Sequence, residues 1–331
     1  MDNMDNMDNI DNFIKLKEWL HMENDNLHMY DTDIRGIYSD KDIKEDEIIL
    51  AIPQKYIFDY SEIKFKKMKN LLNKNSHHIL NLYIEMNKKD SFYQPFFNTL
   101  PQNMNNFVDF YSEDDLKLLE HTSLSCENEY SHREKIIDMK KDSKIMYKYL
   151  KENNKLNEKH NKYSKFYREY LRLKNLVDSR IFSYDKNKKE AITIVPYADL
   201  FNHSLDENTY WCFNDDKNQF EMSATKDIPK NTQIYDSYGE KSNLKLLFYY
   251  GFTIPNNPFS VVCIDKPNSD DTYEYTIKSK LKKNKNYDYI IEKLQIIYNH
   301  HMKYIKTITN NDLLNIYNDE INIIKKLLKL I

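Results

Sequence analysis

The segment ITIVPYADLFNHS, residues 192–204, is the part of the chain from which most of the fold can be predicted. It opens with the β-branched run ITIV, which predicts a buried strand. Pro196 ends that strand because proline donates no hydrogen bond to a sheet. A carboxylate, an amide and an imidazole follow, on Asp199, Asn202 and His203. This order is typical of a ligand-binding rim at a strand end, although a plain polar loop is the simpler interpretation of the segment by itself.

Composition excludes several classes of protein. The chain has 331 residues, of which 40% are hydrophobic and 14% aromatic, so a sizeable core is possible if the 27 tyrosine hydroxyls find partners. The formal net charge is −3, from 49 basic and 52 acidic residues that are mixed along the chain. This balance predicts no nucleic-acid partner and no membrane-surface partner. No apolar run approaches the ~18 residues that a membrane span needs.

The cysteines predict an intracellular protein without a structural metal. Cys126, Cys212 and Cys263 are isolated in the sequence, with no CxxC pair. This spacing predicts neither a zinc cluster nor a disulfide framework, so we expect three free thiols and no metal site. Free thiols and the lack of a signal peptide predict a reducing compartment, which is the cytoplasm, the nucleus or both.

Hydrophobic periodicity predicts a β-rich domain with a helical insertion. The opening repeat MDNMDNMDN is of low complexity, and we expect it to be disordered. Asp42-Ile43 and Asp227-Ile228 belong to two similar strand–turn–strand phrases far apart in sequence, which indicates one interrupted β domain. Amphipathic patterns predict helices at about residues 9–22, 114–119, 136–150, 163–176, 289–305 and 311–330. The expected division is a repeat, a β domain in two pieces, a helical insertion and a helical C-terminal region, at residues 1–9, 10–75 with 177–263, 76–176 and 264–331.

Two motifs downstream change the interpretation of the first segment. Residues 238–243 read YGEKSN and residues 250–252 read YGF. The pattern predicts a strand, a turn at Gly239 and a helix capped by Ser242 or Asn243. Together with DLFNHS, this order resembles the SET-domain methyltransferases. More narrowly, it resembles the subfamily of the Rubisco large-subunit lysine methyltransferase and its relatives that act on non-histone proteins.

Three further stretches carry the same resemblance, which covers roughly residues 10 to 263. RGIYS at 35–39 is similar to the family's first cofactor loop, FYQPFFNTLP at 92–101 to the aromatic segment of its insertion, and SRIF at 179–182 to its Ser-Arg-x-Phe motif. The resemblance implies a mixed α+β fold. Its parts are a β-rich SET domain of small sheets with a knotted C-terminal segment, a helical insertion and the start of a helical substrate-binding domain.

The resemblance also implies an activity, a cofactor and a site. The activity is S-adenosylmethionine (SAM)-dependent methylation of a lysine in a non-histone protein, and Tyr238 is the central residue, beside the transferring methyl group. The implied cofactor-binding residues are Arg35, Gly36, Ile37, Arg180, Asn202 and His203, with Arg180 paired to the methionine carboxylate. The implied residues of the substrate channel are Ser179, Asp199, Tyr210, Tyr250 and Phe252.

Two alternatives stay open. One branch of the subfamily is similar in methylating a protein histidine, and histidine is largely neutral at pH 7, whereas a lysine must first lose a proton. The family's first loop usually reads Gly-x-Gly, but Ile34 stands at the first of these positions. This departure favours a SET-like binding module without turnover as the second alternative. In each case we expect a monomer.

Overall fold

The computed structural model describes residues 2–22, 25–30, 35–59, 68, 70–120, 122–123, 132–186, 189–267 and 271–330. The chain forms two compact units. The first unit contains residues Met1–Gln102 and Asp142–Gly239, and the second contains Asn103–Lys141 and Glu240–Ile331.

The helices and strands alternate irregularly along the chain. The helices are α1 (Asp2–Leu20), α2 (Lys74–Met86), α3 (Gln94–Phe97), α4 (Glu113–Leu119), α5 (His132–Glu152), α6 (Tyr163–Arg180), α7 (Asn243–Tyr250), α8 (Tyr287–Tyr304) and α9 (Asn311–Leu328). The strands are β1 (Leu27–Tyr30), β2 (Gly36–Ser39), β3 (Ile48–Pro53), β4 (Phe58–Asp59), β5 (Ile181–Lys186), β6 (Lys189–Ile194), β7 (Asn202–His203), β8 (Thr209–Asn214), β9 (Gln219–Ala224), β10 (Tyr235–Asp236), β11 (Val261–Asp265) and β12 (Thr272–Thr276). The predicted mixed α+β class is confirmed.

The first unit is built on small sheets. Strand β6 is the middle strand of a sheet with the order β4–β6–β5, and it pairs antiparallel with both neighbours. Ile194 and Val195 are fully buried, and the strand ends at Ile194, two residues before Pro196. The predicted buried strand at the start of ITIVPYADLFNHS is therefore confirmed. The other sheets of this unit have the orders β3–β9–β8, β1–β2 and β10–β7.

The two similar phrases of the sequence pair with each other. The amide of Ile43 donates to the carbonyl of Ile228, and the amide of Ile228 donates to the carbonyl of Ile43, each at 2.9 Å. Lys44 forms an exposed ion pair with Asp227 at 2.7 Å, which adds little to stability because water screens it. The repeated Asp-Ile phrase thus marks two facing turns of one β structure.

The second unit buries the C-terminal helices. One core cluster contains Leu119 of α4, Leu247 of α7 and Tyr317 of α9. A second cluster joins the β11–β12 hairpin to α8 and α9, and its buried members are Val262, Ile264, Ile290, Leu294, Ile323, Ile324 and Leu327. The apolar end of the last helix therefore has a partner within the chain. Strand β12 lies within residues 264–331, for which we expected helices. The strand forms there because pairing with β11 outweighs its weak local pattern.

Three expectations differ from the structure. Helix α1 extends through the repeat to Asp2, where we expected disorder, because a helix that has already formed elongates at little cost. The insertion expected at 76–176 is divided, because Val108 and Leu119 pack in the core of the second unit. Cys263 is disulfide-bonded rather than free, whereas Cys212 is free and exposed. Sequence spacing gives no information about such pairing.

Candidate active site

The site is built where strands β7 and β10 lie side by side. They pair in parallel, with Asn202 opposite Tyr235 and His203 opposite Asp236. The amide of Ser204 extends this ladder to the carbonyl of Asp236 at 3.1 Å. The pairing brings the FNHS and YDSYG stretches, which are more than 30 residues apart, into one place in the first unit.

Asn202 connects this strand pair to the first loop. Its Nδ2 donates to the carbonyl of Arg35 at 2.7 Å, and Arg35 Nη1 donates to the carbonyl of Thr99 at 2.9 Å. A Cβ on Gly36 would lie 2.3 Å from Nε2 of Gln233 and 3.3 Å from Nδ2 of Asn202. Gly36 is therefore required by close side-chain packing, since its φ is not in the left-handed region.

Gln233 was missed by sequence reasoning. Its Oε1 accepts hydrogen bonds from the hydroxyls of Tyr38 at 3.1 Å and Tyr235 at 2.8 Å. Its side chain occupies the space that a Cβ on Gly36 would need. Gln233 thus fixes the spacing between β2 and the strand pair. In the sequence, Gln233 is marked only by its position just before IYDSYG, and that position does not indicate a chemical role.

His203 and Tyr238 form a coupled pair. The amide of Tyr238 donates to His203 Nδ1 at 3.0 Å, and the two rings stack with centroids 5.1 Å apart at 20°. Nδ1 must therefore be unprotonated in this arrangement. The hydroxyl of Tyr238 donates to the carbonyl of Phe201 at 2.8 Å. Both ends of Tyr238 are thus fixed against the FNHS strand, which holds its phenol oxygen in a defined position.

Arg180 and Asp199 form a buried ion pair. Arg180 Nη1 donates to Oδ2 of Asp199 at 2.8 Å and to its backbone carbonyl at 2.7 Å. The Asp199 side chain is completely buried, and that of Arg180 is 14% exposed. Burial raises the pKa of the Asp199 carboxyl, while the charges of Arg180 and Arg35 oppose this shift. Arg180 Nε and Asp199 Oδ1 are also buried, and neither has a hydrogen-bond partner among the residues that the structure describes.

Tyr197, two residues before Asp199, has a strained backbone conformation. Tyr197 has φ +77° and ψ −50°, a combination that costs a non-glycine residue about 1–3 kcal/mol. Its buried hydroxyl donates to Asp25 at 2.5 Å, and Asp25 also pairs with Lys17 at 2.6 Å. Burial raises the pKa of Tyr197 well above its ordinary value, so the phenol stays protonated as a donor. The anchored ring directs the backbone so that Asp199 faces Arg180.

Asp236 is the remaining ionisable group of the strand pair. It is 4% exposed, and burial raises its pKa to about 6, although the amide of Ser237 donates to its Oδ1 at 2.8 Å. Sequence reasoning did not single it out, because the motif shows a polar residue whose burial depends on the tertiary fold.

The other predicted residues occupy varied places. Ile37 is fully buried in β2, and Ser179 donates its hydroxyl to the carbonyl of Asn175 within α6 at 2.7 Å. Tyr210 on β8 is half exposed. Ile34 lies outside the described residues.

Tyr250 and Phe252 belong to the second unit. They flank Gly251, whose φ of +74° ends helix α7, and their ring centroids are 6.4 Å apart. The ammonium of Lys241 lies 5.9 Å from the centre of the Tyr250 ring, a distance typical of cation–π contact. Ser242 caps α7 by accepting from the amide of Lys245, which confirms one of the two predicted caps.

Within the described ranges, no group of three or more His, Cys, Asp or Glu side chains is arranged to hold a metal ion. In the same part of the chain, no helix is long and apolar enough to cross a membrane.

Comparison with known proteins establishes the family. Residues 34–239 match the SET domain family, and they include the whole β7–β10 site. The chain therefore belongs to the SET-domain family, as the motifs predicted. The solved structure of Rubisco LSMT bound to AdoMet superposes with a TM-score of 0.68 at 16% identity, covering 97% of this chain and 91% of that chain. This similarity shows that the two share a fold.

The curated relatives are distant and longer. SET domain-containing protein 4 of Artemia parthenogenetica is 24% identical over 270 residues, which are 76% of this chain and 63% of that protein. A ribosomal lysine N-methyltransferase of Schizosaccharomyces pombe is 30% identical over 100 residues, or 29% of this chain and 18% of that protein. The actin-histidine N-methyltransferase of Homo sapiens is 23% identical over 256 residues, or 74% of this chain and 42% of that protein. The chain thus spans less than two thirds of the length of each of them.

Proposed function

We propose that the chain is a SAM-dependent protein-lysine N-methyltransferase that acts on a non-histone protein. The observation that carries this proposal is the site at β7 and β10, which lies within the part of the chain that matches the SET family. The ribosomal lysine methyltransferase among the relatives supports a lysine acceptor. The proposed location is the cytoplasm, the nucleus or both, and it rests on the free Cys212 thiol, since Cys263 is disulfide-bonded.

The buried pair Arg180 and Asp199 fits the amino-acid end of SAM. Arg180 Nε is a buried donor and Asp199 Oδ1 a buried acceptor, both without a described partner. A ligand with a carboxylate and an ammonium side by side would satisfy both atoms at once. Charge-assisted bonds of this kind are roughly twice as strong as neutral ones. We therefore assign Arg180 to the ligand carboxylate and Asp199 to the ligand ammonium.

The remaining cofactor contacts are assigned to the first loop and the FNHS strand. Arg35, Gly36 and Ile37 line one side in this proposal, and Asn202 and His203 line the other. Asn202 holds the Arg35 carbonyl, so its amide sets the width between the two sides. The packed neighbours of Gly36 keep that width fixed.

Lysine methylation needs a neutral amine. The reference pKa of lysine is about 10.4, so deprotonation at pH 7 costs roughly 4 to 5 kcal/mol. When bound, SAM supplies an electrophilic methyl group on a sulfonium, and the nearby positive charge also favours the neutral amine. Tyr238 orients that amine in our proposal: its hydroxyl donates to Phe201, so its oxygen can accept a hydrogen bond from the amine. Correct orientation is itself a large part of such rate enhancements.

With Asp199 assigned to the cofactor, four of the predicted channel residues remain candidates for contact with the substrate side chain: Ser179, Tyr210, Tyr250 and Phe252. Tyr250 is favoured among them because its ring already faces an ammonium, that of Lys241. Ser179 is less favoured because its hydroxyl donates within α6. We also propose that the active form is a monomer.

The test uses SAM with a labelled methyl group and a native cell extract. After incubation with the full chain, labelled protein is identified by mass and hydrolysed to amino acids. Methyllysine in the hydrolysate is the expected product. Labelled methylhistidine would overturn the lysine assignment and favour the acceptor named for the human relative. If no label is transferred although SAM binds, the proposal of turnover is wrong and a SET-like binding module remains.

A further inference from the structure

The connection between β12 and α8 carries a local concentration of positive charge. Residues 277–286, here called the basic loop, read IKSKLKKNKN. No acidic residue occurs between Glu274 and Asp288. The loop carries five exposed lysines, which are Lys278, Lys280, Lys282, Lys283 and Lys285. The net charge of the whole chain is close to zero, so it does not reveal this local concentration of positive charge.

The basic loop is anchored to the second unit. Ile277 and Leu281 pack against the core cluster formed by the β11–β12 hairpin, α8 and α9. The amide of Thr276 donates to Ser279 Oγ at 2.9 Å, and Asn286 Nδ2 donates to the hydroxyl of Tyr273 at 2.6 Å. The apolar residues point inward, so the lysines project into solvent from a backbone that is held at both ends.

The five ammonium groups form no ion pair within the part of the chain that the structure describes, whereas the neighbouring Lys266 pairs with Asp271 at 3.1 Å. Lys326 of α9 also reaches this loop, where its Nζ donates to the carbonyl of Ile277. Like charges held close together repel one another, and a bound polyanion would relieve that repulsion.

We propose that the basic loop binds the phosphodiester backbone of a nucleic acid. Lysine is depleted in protein–protein interfaces, whereas lysine contacts to phosphate are common and independent of base sequence. The loop exposes five ammonium groups, while its apolar residues Ile277 and Leu281 pack against the core, so it fits a phosphate chain better than an acidic protein. This inference departs from the expectation drawn from the whole-chain charge, and it is independent of the proposed methyl transfer because no residue of the candidate site lies in the loop.

The test measures binding of the full chain to a short labelled RNA and to a DNA duplex of equal length, over a range of salt concentrations. The loop variant changes all five lysines to Gln. The matched control removes the same charge from five exposed lysines elsewhere, which are Lys15, Lys89, Lys144, Lys151 and Lys159. We expect the loop variant to lose at least tenfold in affinity. Its salt slope should be shallower by up to about 0.9 per lysine for a duplex and about 0.7 for a single strand.

The control variant should bind like the unchanged chain. The two nucleic acids distinguish an RNA partner from a DNA partner, and preferential binding of either supports the proposal. Three results would overturn it: no binding to either probe, equal loss in the loop variant and the control, or equally tight binding of a polyglutamate peptide. The last result would assign the loop to an acidic protein partner instead. SAM binding by the loop variant should be unchanged, because no residue of the candidate cofactor site lies in the loop, so failure here is distinct from failure of the proposed activity.

Discussion

Replacement of Tyr238 by phenylalanine separates the proposed chemistry from cofactor binding. The change removes the hydroxyl that donates to the Phe201 carbonyl at 2.8 Å. The ring stacking on His203 and the amide bond to His203 Nδ1 do not depend on that hydroxyl. Loss of one such hydrogen bond costs about 1 kcal/mol of stability, so the variant should fold. The cofactor assignments do not use the hydroxyl, so SAM affinity should change by less than about threefold.

Methyl transfer should be affected far more strongly. A positioned polar group that acts on the reacting atoms typically contributes about 100-fold or more to kcat, or roughly 3 kcal/mol of barrier. The assay compares the initial rate of labelled methyl transfer with the SAM dissociation constant from calorimetry. Tyr235→Phe is the matched control, because Tyr235 also donates one hydrogen bond of 2.8 Å, but to Gln233. We expect the control to keep most of its activity.

Two outcomes would refute the role given to Tyr238. Wild-type turnover by Tyr238→Phe would show that the hydroxyl does not orient the amine. A parallel loss of SAM binding and turnover would show that Tyr238 supports the cofactor site instead. Tyr250 would then be the next hydroxyl to test, since its ring already faces an ammonium.

Three further predictions concern the framework of the two units. Gly36→Ala should lower the free energy of unfolding by about 1–3 kcal/mol, because its Cβ would meet Gln233 at 2.3 Å. A second change, Gln233→Ala, should recover part of this free energy when both variants are compared by urea unfolding. In the folded state, burial raises the pKa of Asp236 from 3.8 to about 6. Protonation of Asp236 therefore stabilises the protein below about pH 4, and this stability is lost as the pH rises through 6. Asp236→Asn should therefore gain up to about 3 kcal/mol relative to wild type between pH 4 and pH 7.5, and an equal difference at both pH values would contradict this. Asn243→Ala should lower the free energy of unfolding by at least about 3 kcal/mol. Buried Asn243 donates to Asp319 and to the carbonyl of Ile254 and accepts from the Ile254 amide, each at 2.8 Å. Thermal unfolding close to that of wild type would disprove this prediction.

Local sequence signals predicted the strands and helices that place the site. The run before Pro196 predicted β6, which the structure contains, whereas the ligand-binding rim at Asn202 and His203 stays a prediction. Ser242 caps the helix that it precedes, as predicted, because a serine oxygen accepting a backbone amide is a local interaction. These predictions succeeded because periodicity and capping depend on residues close in sequence.

The partners of the site residues were not predictable in the same way. Arg180 and Asp199 were each candidates from sequence, but their ion pair depends on how α6 meets the segment after β6. The sequence did not indicate the roles of Gln233 and Tyr197, because these roles arise from tertiary packing and from a strained backbone angle. The division of the helical insertion between two units follows from the positions of the cores, which periodicity does not specify.

Calorimetric titration of SAM into the full chain tests most directly the claim that the β7–β10 strand pair forms a cofactor site. We expect one binding event per chain. Asn202→Ala should weaken it at least tenfold, because the variant loses the bond of 2.7 Å that sets the width between the first loop and the FNHS strand. Asn315→Ala is the control, because Asn315 makes one side-chain bond of 2.9 Å, to Thr253, and belongs to the second unit. Unchanged affinity in Asn202→Ala, or no binding of SAM to the unchanged chain, would contradict the claim.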